Sequence, residues 1–362
     1  MKLATLEMMM CQDPYELLVW MSKNKNLIIP SKKDFEFLQS CPEVQTFGIW
    51  LDSAGLVAII KMKTHSKMSS YGLNPTSFPL TAKDVVSINS GFANLHGIIS
   101  SLAPKVSLAL LYRNYQRNYH SFFNQALAES TNAVNEKGFY AGLTLKFNRQ
   151  WDLFVFSDFF RFPWLKFGVD GPSSGYELFT QISYSPSKLF KLIGRLRQQI
   201  KEENSEDLVM GLDLVDKRDF RIDLQYKISA DFSLRNRVEL VRYHKGELNP
   251  EYGFLSFQDI IFDPMGSKFS GNIRFGLFET SGFNSRIYAY EHDVLYAYSV
   301  PAYQGKGSRF YINGRYTLKR GFDLWLRYAA INYANQETLG SGTELINGSK
   351  RSEIRLQLRL QF

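Results

Sequence analysis

The chain closes on EIRLQLRLQF, residues 353–362, and the alternation there has no error. Ile354, Leu356, Leu358, Leu360 and Phe362 fall on one face. Glu353, Arg355, Gln357, Arg359 and Gln361 fall on the other. A period of two makes a β-strand with one apolar and one polar side. The apolar side must meet something apolar. In a soluble sandwich that is a second sheet. In an outer-membrane barrel it is lipid, and the polar side then meets a wet lumen.

The same pattern recurs upstream. In FRIDLQYKI, Phe220, Ile222, Leu224, Tyr226 and Ile228 oppose Arg221, Asp223, Gln225 and Lys227. In RFYINGRYTL, Phe310, Ile312, Tyr316 and Leu318 oppose Arg309, Asn313, Arg315 and Thr317. Strands are predicted at 92–102, 105–115, 138–147, 151–162, 175–184, 189–199, 219–228, 232–243, 253–262 and 268–279. Others follow at 286–291, 293–300, 309–318, 322–333 and 352–362. Their length, about 9–11 residues in most cases, is what a tilted strand needs to cross a bilayer. Aromatic residues make up 15% of the chain, with 29 Phe, 20 Tyr and 5 Trp, which suits strands and membrane-interface girdles. No apolar run approaches the 18–20 residues or so of a spanning helix.

The connections sharpen the choice. Short links at 103–104, 148–150, 185–188, 229–231, 263–267 and 319–321 alternate with long ones at 116–137, 163–174, 200–218, 244–252 and 334–351. Tight turns at one end of a sheet and long loops at the other define an up-and-down outer-membrane barrel, whereas a Greek-key sandwich keeps no such parity. The expected fold class is therefore all-β: an antiparallel up-and-down transmembrane β-barrel over 86–362, of about 15 strands or more. Parity also guides the reading of RIYAYEHDVLYAYSV at 286–300. Split at His292-Asp293 into a tight hairpin, it keeps the order of short and long links. Bacterial barrels usually have even strand numbers, so a count of fifteen points to another strand upstream, within 44–63.

Residues 1–85 read differently, as an atypical, partly helical segment. Asp13-Pro14-Tyr15-Glu16 has the form of a helix start, and 31–34 offers a weaker one. Cys11 and Cys41 have no metal-ligand spacing. MKLATLEMMMCQDP places Glu7 where a signal peptide needs an apolar core. A barrel must be exported, so the expectation is an N-terminally truncated chain, a fragment of a larger protein.

Several stretches go beyond pattern. SLAPKVSLALLYRNYQ, NEKGFYAGLTLKF, RFPWLKFGVDGPSSG, NSRIYAYEHDVLYAYSVPA, RFYINGRYTLKRGFDLWLRYA and RSEIRLQLRLQF resemble the C-terminal half of large Bacteroidota outer-membrane proteins usually labelled helix–hairpin–helix, or competence-like, proteins. The resemblance covers roughly 90–362 and implies a β-barrel in a Gram-negative outer membrane. The DNA-binding label does not carry over, because it rests on N-terminal helix–hairpin–helix units with Gly-rich hairpins that this chain lacks. The partners implied are outer-membrane lipid and the barrel-assembly machinery, with DNA reached only through a domain absent here.

No constellation of reactive residues stands out, and the expectation is no catalytic, cofactor-binding or metal-binding residue. The histidines are His65, His96, His120, His244 and His292. The densest cluster, Glu291-His292-Asp293, reads as a polar hairpin turn on the periplasmic side. RYH at 242–244 and NYHS at 118–121 read as surface-loop polarity. The glycines at 171–175 and 340–342 lack the strand–Gly–helix setting of a phosphate loop. The formal charge is +8. Arg195, Arg197, Arg235, Arg237, Arg355 and Arg359, with Glu353, are the candidate lumen-lining residues. They could form a basic wall favouring anions, but the better reading is a solvated polar face balanced by Asp223, Glu239 and Glu353. The function expected is a non-enzymatic outer-membrane pore or membrane scaffold. The alternative is the anchor or channel of a DNA-uptake protein whose DNA-binding part is missing.

Overall fold

The structure, a computed structural model, describes residues 91–119, 127–206, 211–340 and 342–361, together with the backbone strands at 46–51, 57–63 and 80–86. Cys11, Cys41, the expected helix starts at 13–16 and 31–34, and Phe362 lie outside the described residues.

The chain order is β1 (Thr46–Leu51), β2 (Val57–Lys63), β3 (Leu80–Val86), β4 (Phe92–Ala103), β5 (Val106–Tyr115), β6 (Glu136–Lys146), β7 (Trp151–Phe162), β8 (Ser173–Ser187), β9 (Phe190–Asn204) and β10 (Leu212–Lys227). It continues with β11 (Phe232–Lys245), β12 (Glu251–Phe262), β13 (Phe269–Thr280), β14 (Ile287–Tyr288), β15 (Ala302–Tyr303), β16 (Lys306–Lys319), β17 (Phe322–Tyr333), β18 (Thr338–Leu339), β19 (Ile346–Asn347) and β20 (Lys350–Leu360). Among the described residues, sixteen strands form one sheet in the order β1 through β13, then β16, β17 and β20. Each strand pairs with its sequence neighbours, so the fold class is the antiparallel up-and-down sheet of the β-barrel family, as expected. β1–β3 lie upstream of residue 86 and pair on towards β4.

Two expectations fail. The long link expected at 200–218 shrinks to 205–211, because β9 runs on to Asn204 and β10 begins at Leu212. Residues 286–291 and 293–300 contribute no strand to the sheet. β13 pairs directly with β16, and everything from 281 to 305 is a single long loop carrying the two-residue strands β14 and β15. Short and long connections still alternate from β4 to β20, except that the link at 246–250 is no longer than its neighbour at 263–268. The order holds because the apparent hairpin belongs wholly to a loop. Apolar alternation in that segment reflects burial against the sheet and not membership of it.

The chain divides into two compact units: residues 1–143 with 158–174, and 144–157 with 175–362. In the first, Ala93, Tyr115, Tyr119 and Ala133 form a small apolar core. Buried Arg113 binds Glu136 at its Nε and Asp158 at 2.7 Å. Glu136 also accepts from the backbone N–H groups of Glu129 and Ser130, which fastens the end of a long loop to the sheet.

In the second unit the two faces of the sheet are chemically opposite. The exposed face carries Phe220, Ile222, Tyr226, Leu240, Phe254, Phe275, Ile312 and Leu326. On β20, Ile354, Leu356, Leu358 and Leu360 remain 52–71% exposed. The other face holds Asp223, Arg237, Glu239, Asp259, Arg274, Arg309 and Arg327, all buried. Such an inversion of the soluble-protein rule, apolar out and charge in, is what a lipid-facing wall requires. The inner face is not uniformly polar, however. Phe154, Phe156 and Phe179 stack together there, with Phe156 and Phe179 ring centroids 4.9 Å apart.

Aromatic rings gather at the short-link ends of the strands. Trp151, Tyr184, Phe190 and Tyr226 follow one another at 4.4, 6.2 and 6.5 Å, and Phe232, Phe262 and Phe269 at 4.7 and 6.1 Å. Amphipathic and aromatic rings settle at the border of a membrane's apolar layer.

Candidate inner-face site: an arginine lattice and the loop it holds

The candidate site is built from strand alternation. Once Phe220 and Leu240 face outward, their neighbours Arg221, Asp223, Arg237 and Glu239 must face inward. Pairing then decides which charges meet. Arg221 stands opposite Glu239 in the β10–β11 register and makes a two-pronged contact at 2.6 and 2.9 Å. Asp223 stands opposite Arg237, accepts from it at 2.8 Å, and lies 3.4 Å from Arg235. On β8 and β9, Arg197 donates twice to Glu177 at 2.7 Å and Arg195 donates to Gln181 at 2.6 Å. These are short-range contacts between adjacent strands.

A different arrangement occupies the inner face of β12, β13, β16, β17 and β20. Asp259 stands opposite Arg274 and accepts from it at 2.6 Å, and the guanidinium lies 3.7 Å from the Phe257 ring centroid. A second nitrogen of Arg274 donates to the Tyr290 carbonyl at 2.7 Å. That carbonyl belongs to the 281–305 loop, which folds against the sheet. Glu291, fully buried, accepts two bonds from Arg309 at 2.9 and 3.0 Å, one from the Tyr303 hydroxyl at 2.8 Å, and another from Arg327. Arg327 also reaches the His292 carbonyl at 3.2 Å and the Glu353 carboxylate. Asp293 is the partner of Arg355, and its backbone carbonyl accepts from Asn313 at 3.1 Å. Three consecutive loop residues and the Tyr290 carbonyl are therefore gripped by four strands.

Apolar packing supports the same contact. Ile287, Ala289 and Tyr303 of the loop share a buried cluster with Val241, Leu255, Phe257 and Phe278 of the wall. Glu251 accepts from the N–H groups of Asn284 and Ser285 at 2.9 Å each, holding the loop's first turn. Gly253 makes this close approach feasible. A Cβ there would lie 2.2 Å from the Ser285 carbonyl oxygen, so any side chain would push the loop away.

The structure thus reassigns the Glu291-His292-Asp293 cluster. It is no turn between spanning strands; both carboxylates serve as buried anchors in a bed of arginines. Charges buried together in this way are stable only when each is matched. Of the candidate lumen-lining residues, all seven lie on the inner side of their strands, but none stands in a continuous basic wall. Arg197 is matched by Glu177, Arg235 and Arg237 by Asp223, Arg355 by Asp293 and Glu353, and Arg359 by Asp323. Arg195 bonds Gln181. Balance comes from Asp223 and Glu353 as expected, while Glu239 serves chiefly Arg221.

Sequence reasoning missed Arg274, Arg309 and Arg327, the cations that grip the loop. The available signal was an arginine at an inward position on each of three successive strands, with an acid-rich segment inserted between two of them. Burial pushes the His292 imidazole below its ordinary value of 6.5; Arg274 and Arg235 act in the same direction, against Asp259. His96 stacks at 6.4 Å on Tyr112, and His65 and His120 lie outside the described residues. Among the described residues, no group of three or more His, Cys, Asp or Glu side chains is arranged to hold a metal ion.

No family model matches the chain, and no curated protein matches it. Among solved structures, the anion-selective porin from Comamonas acidovorans aligns over 86% of this chain and 91% of its own, at 10% identity and a TM-score of 0.41. OpdK, an outer-membrane protein of Pseudomonas aeruginosa, aligns over 87% and 95% at 11% identity and a TM-score of 0.40. OccK11 (OpdR) of the same organism aligns over 87% and 92% at 12% identity and 0.38. At such values the class assignment rests on the strand pairing and the two faces described above.

Proposed function

We propose that the chain is the barrel of a non-enzymatic outer-membrane protein, a pore whose interior is narrowed by the 281–305 loop. One observation carries this reading: a lipid-compatible apolar outer face backs onto an inner face whose arginines hold a loop in place. A structural core would bury apolar side chains on both sides, and a barrel near sixteen strands would be wide enough for an aqueous channel. Buried ion pairs contribute little net stability over apolar packing, so their use here fits a wall that must stay wettable while fixing a loop. The protein would meet outer-membrane lipid on its apolar face and be inserted by the barrel-assembly machinery.

Refolding into lipid vesicles and planar-bilayer recording test the proposal. Heat-modifiable gel mobility and stepwise conductance are expected. Deleting the segment 286–300 should raise the unit conductance. A protein that inserts but conducts in neither form is a membrane scaffold and not a pore. One that stays monomeric in water without detergent does not belong to the membrane at all.

A further inference from the structure

The outer face of the second unit carries two guanidiniums where the lipid-facing pattern calls for apolar residues. Arg218 of β10 and Arg242 of β11 stand directly opposite each other, in a cross-strand row that runs Leu178, Gln198, Arg218, Arg242, Tyr252. Like charges in that position repel. A single carboxylate, Asp216, sits with them: it accepts from Arg218 at 3.0 Å, from Arg242 at 3.3 Å and from Gln198 at 3.1 Å. Two cations share one anion, and their side chains remain 56% and 35% exposed. The nearby Glu279 and Lys306 neutralise each other at 3.0 Å.

The row has a particular level. From Arg218 to Tyr226, in the aromatic border at the short-link end, the strand runs roughly 26 Å at about 3.3 Å per residue. Tilted about 35–45° from the membrane normal, that run rises roughly 19–22 Å, most of the height of a barrel's apolar band, about 25 Å. The arginines therefore fall at the opposite border, on the long-loop side, where lipid headgroups lie. Beneath them is a groove of about 830 Å³ whose lining includes Leu178, Leu196, Phe220, Leu240 and Phe254.

We infer that Arg218 and Arg242 form a site for the phosphate of an anionic lipid, with an acyl chain lying along the groove below. Paired guanidiniums suit phosphate oxygens geometrically, and the headgroup would supply the second anion that the pair lacks. The inference rests on the membrane reading of the outer face.

The full chain, folded into vesicles of equal parts phosphatidylcholine and phosphatidylglycerol and gently extracted, provides the test, with retained lipids counted by native mass spectrometry. Wild type should retain phosphatidylglycerol in preference to phosphatidylcholine, and added inorganic phosphate should not displace it. The double variant Arg218→Gln/Arg242→Gln should lose that preference by roughly tenfold, the scale for one or two cations at an anionic bilayer surface. Lys188→Gln, at the other end of the strands, should leave it unchanged. The milder Arg242→Gln alone should show a smaller loss and covers the case in which the double variant does not insert. Equal retention of both lipids by wild type, undiminished preference in the variants, or displacement by inorganic phosphate would each overturn the lipid site. Normal insertion with no lipid preference defeats this inference alone, whereas failure of wild type to enter vesicles defeats the membrane reading itself.

Discussion

The inner walls of β8–β11 and of β12–β20 use the same chemistry, arginine against carboxylate, in two different ways. In the first wall the partners sit on neighbouring strands, with Arg195 bonding Gln181 where the others meet acids; Arg237, Asp223 and Glu239 are buried, and the other arginines stay partly wet. Arg221 is 24% exposed and Arg197 44%. In the second wall the acids Glu291 and Asp293 arrive on a loop, and Arg274, Arg327 and Glu291 are sealed from solvent. Wet pairs are nearly neutral in free energy, because water competes for every charge. Sealed pairs are unforgiving, because losing one partner strands the other. The first wall is a surface that tolerates change; the second is a lock.

Breaking the lock should therefore have the largest effect. Arg327→Met removes the donor shared by Glu291, Glu353 and the His292 carbonyl and should cost about 3–5 kcal/mol, the range for uncovering a buried partner. Urea unfolding in vesicles would measure it. A loss below 1 kcal/mol would mean that the two walls do not differ. The outer face bears on both walls alike. Ile354→Arg, halfway along β20, should cost about 2–4 kcal/mol near the bilayer midplane, while the inward Gln357→Arg is tolerated; equal behaviour of the two would remove β20 from the lipid boundary. Gly253→Ala displaces the loop without touching a charge. It should cost about 1–3 kcal/mol, as overpacking does, and raise conductance if the loop narrows the lumen. Arg197→Met, the wet counterpart of Arg327→Met, should cost at most about 1 kcal/mol.

The smallest effect concerns pH. His292 is held below its ordinary value, so the released or unfolded form takes up a proton first as pH falls. Loop docking should be at full strength above about pH 6.5. It should weaken from there down to the lowered value in the docked state. His292→Gln should flatten that decline. An unchanged profile in the variant would show that the imidazole is not part of the lock.

How much of this was legible beforehand differs between the same two regions. The β10–β11 ladder could be read because its partners come from consecutive strands joined by a tight turn, so alternation fixes the facing side and the turn nearly fixes the register. β7 and β17 run over 151–162 and 322–333, as alternation alone predicts. The 286–300 segment misled because period two reports only that alternate side chains are covered. It does not say whether a sheet neighbour or a wall behind does the covering. Ile287 and Ala289 alternate because they pack onto Leu255, Phe257 and Phe278, and they make no strand pair in the sheet.

What the amino-acid order by itself determined is local: which residues extend, which face is apolar, and where turns are short. Steric alternation and turn length act over a few residues and need no knowledge of the rest of the chain. Only the tertiary structure decided that Glu291 and Asp293 would meet Arg309, Arg327 and Arg355, from 18 to 62 residues away in the chain. The choice of partner for a buried charge depends on which surfaces become dry together. That is a property of the folded sheet and its inserted loop, and no single stretch of sequence carries it.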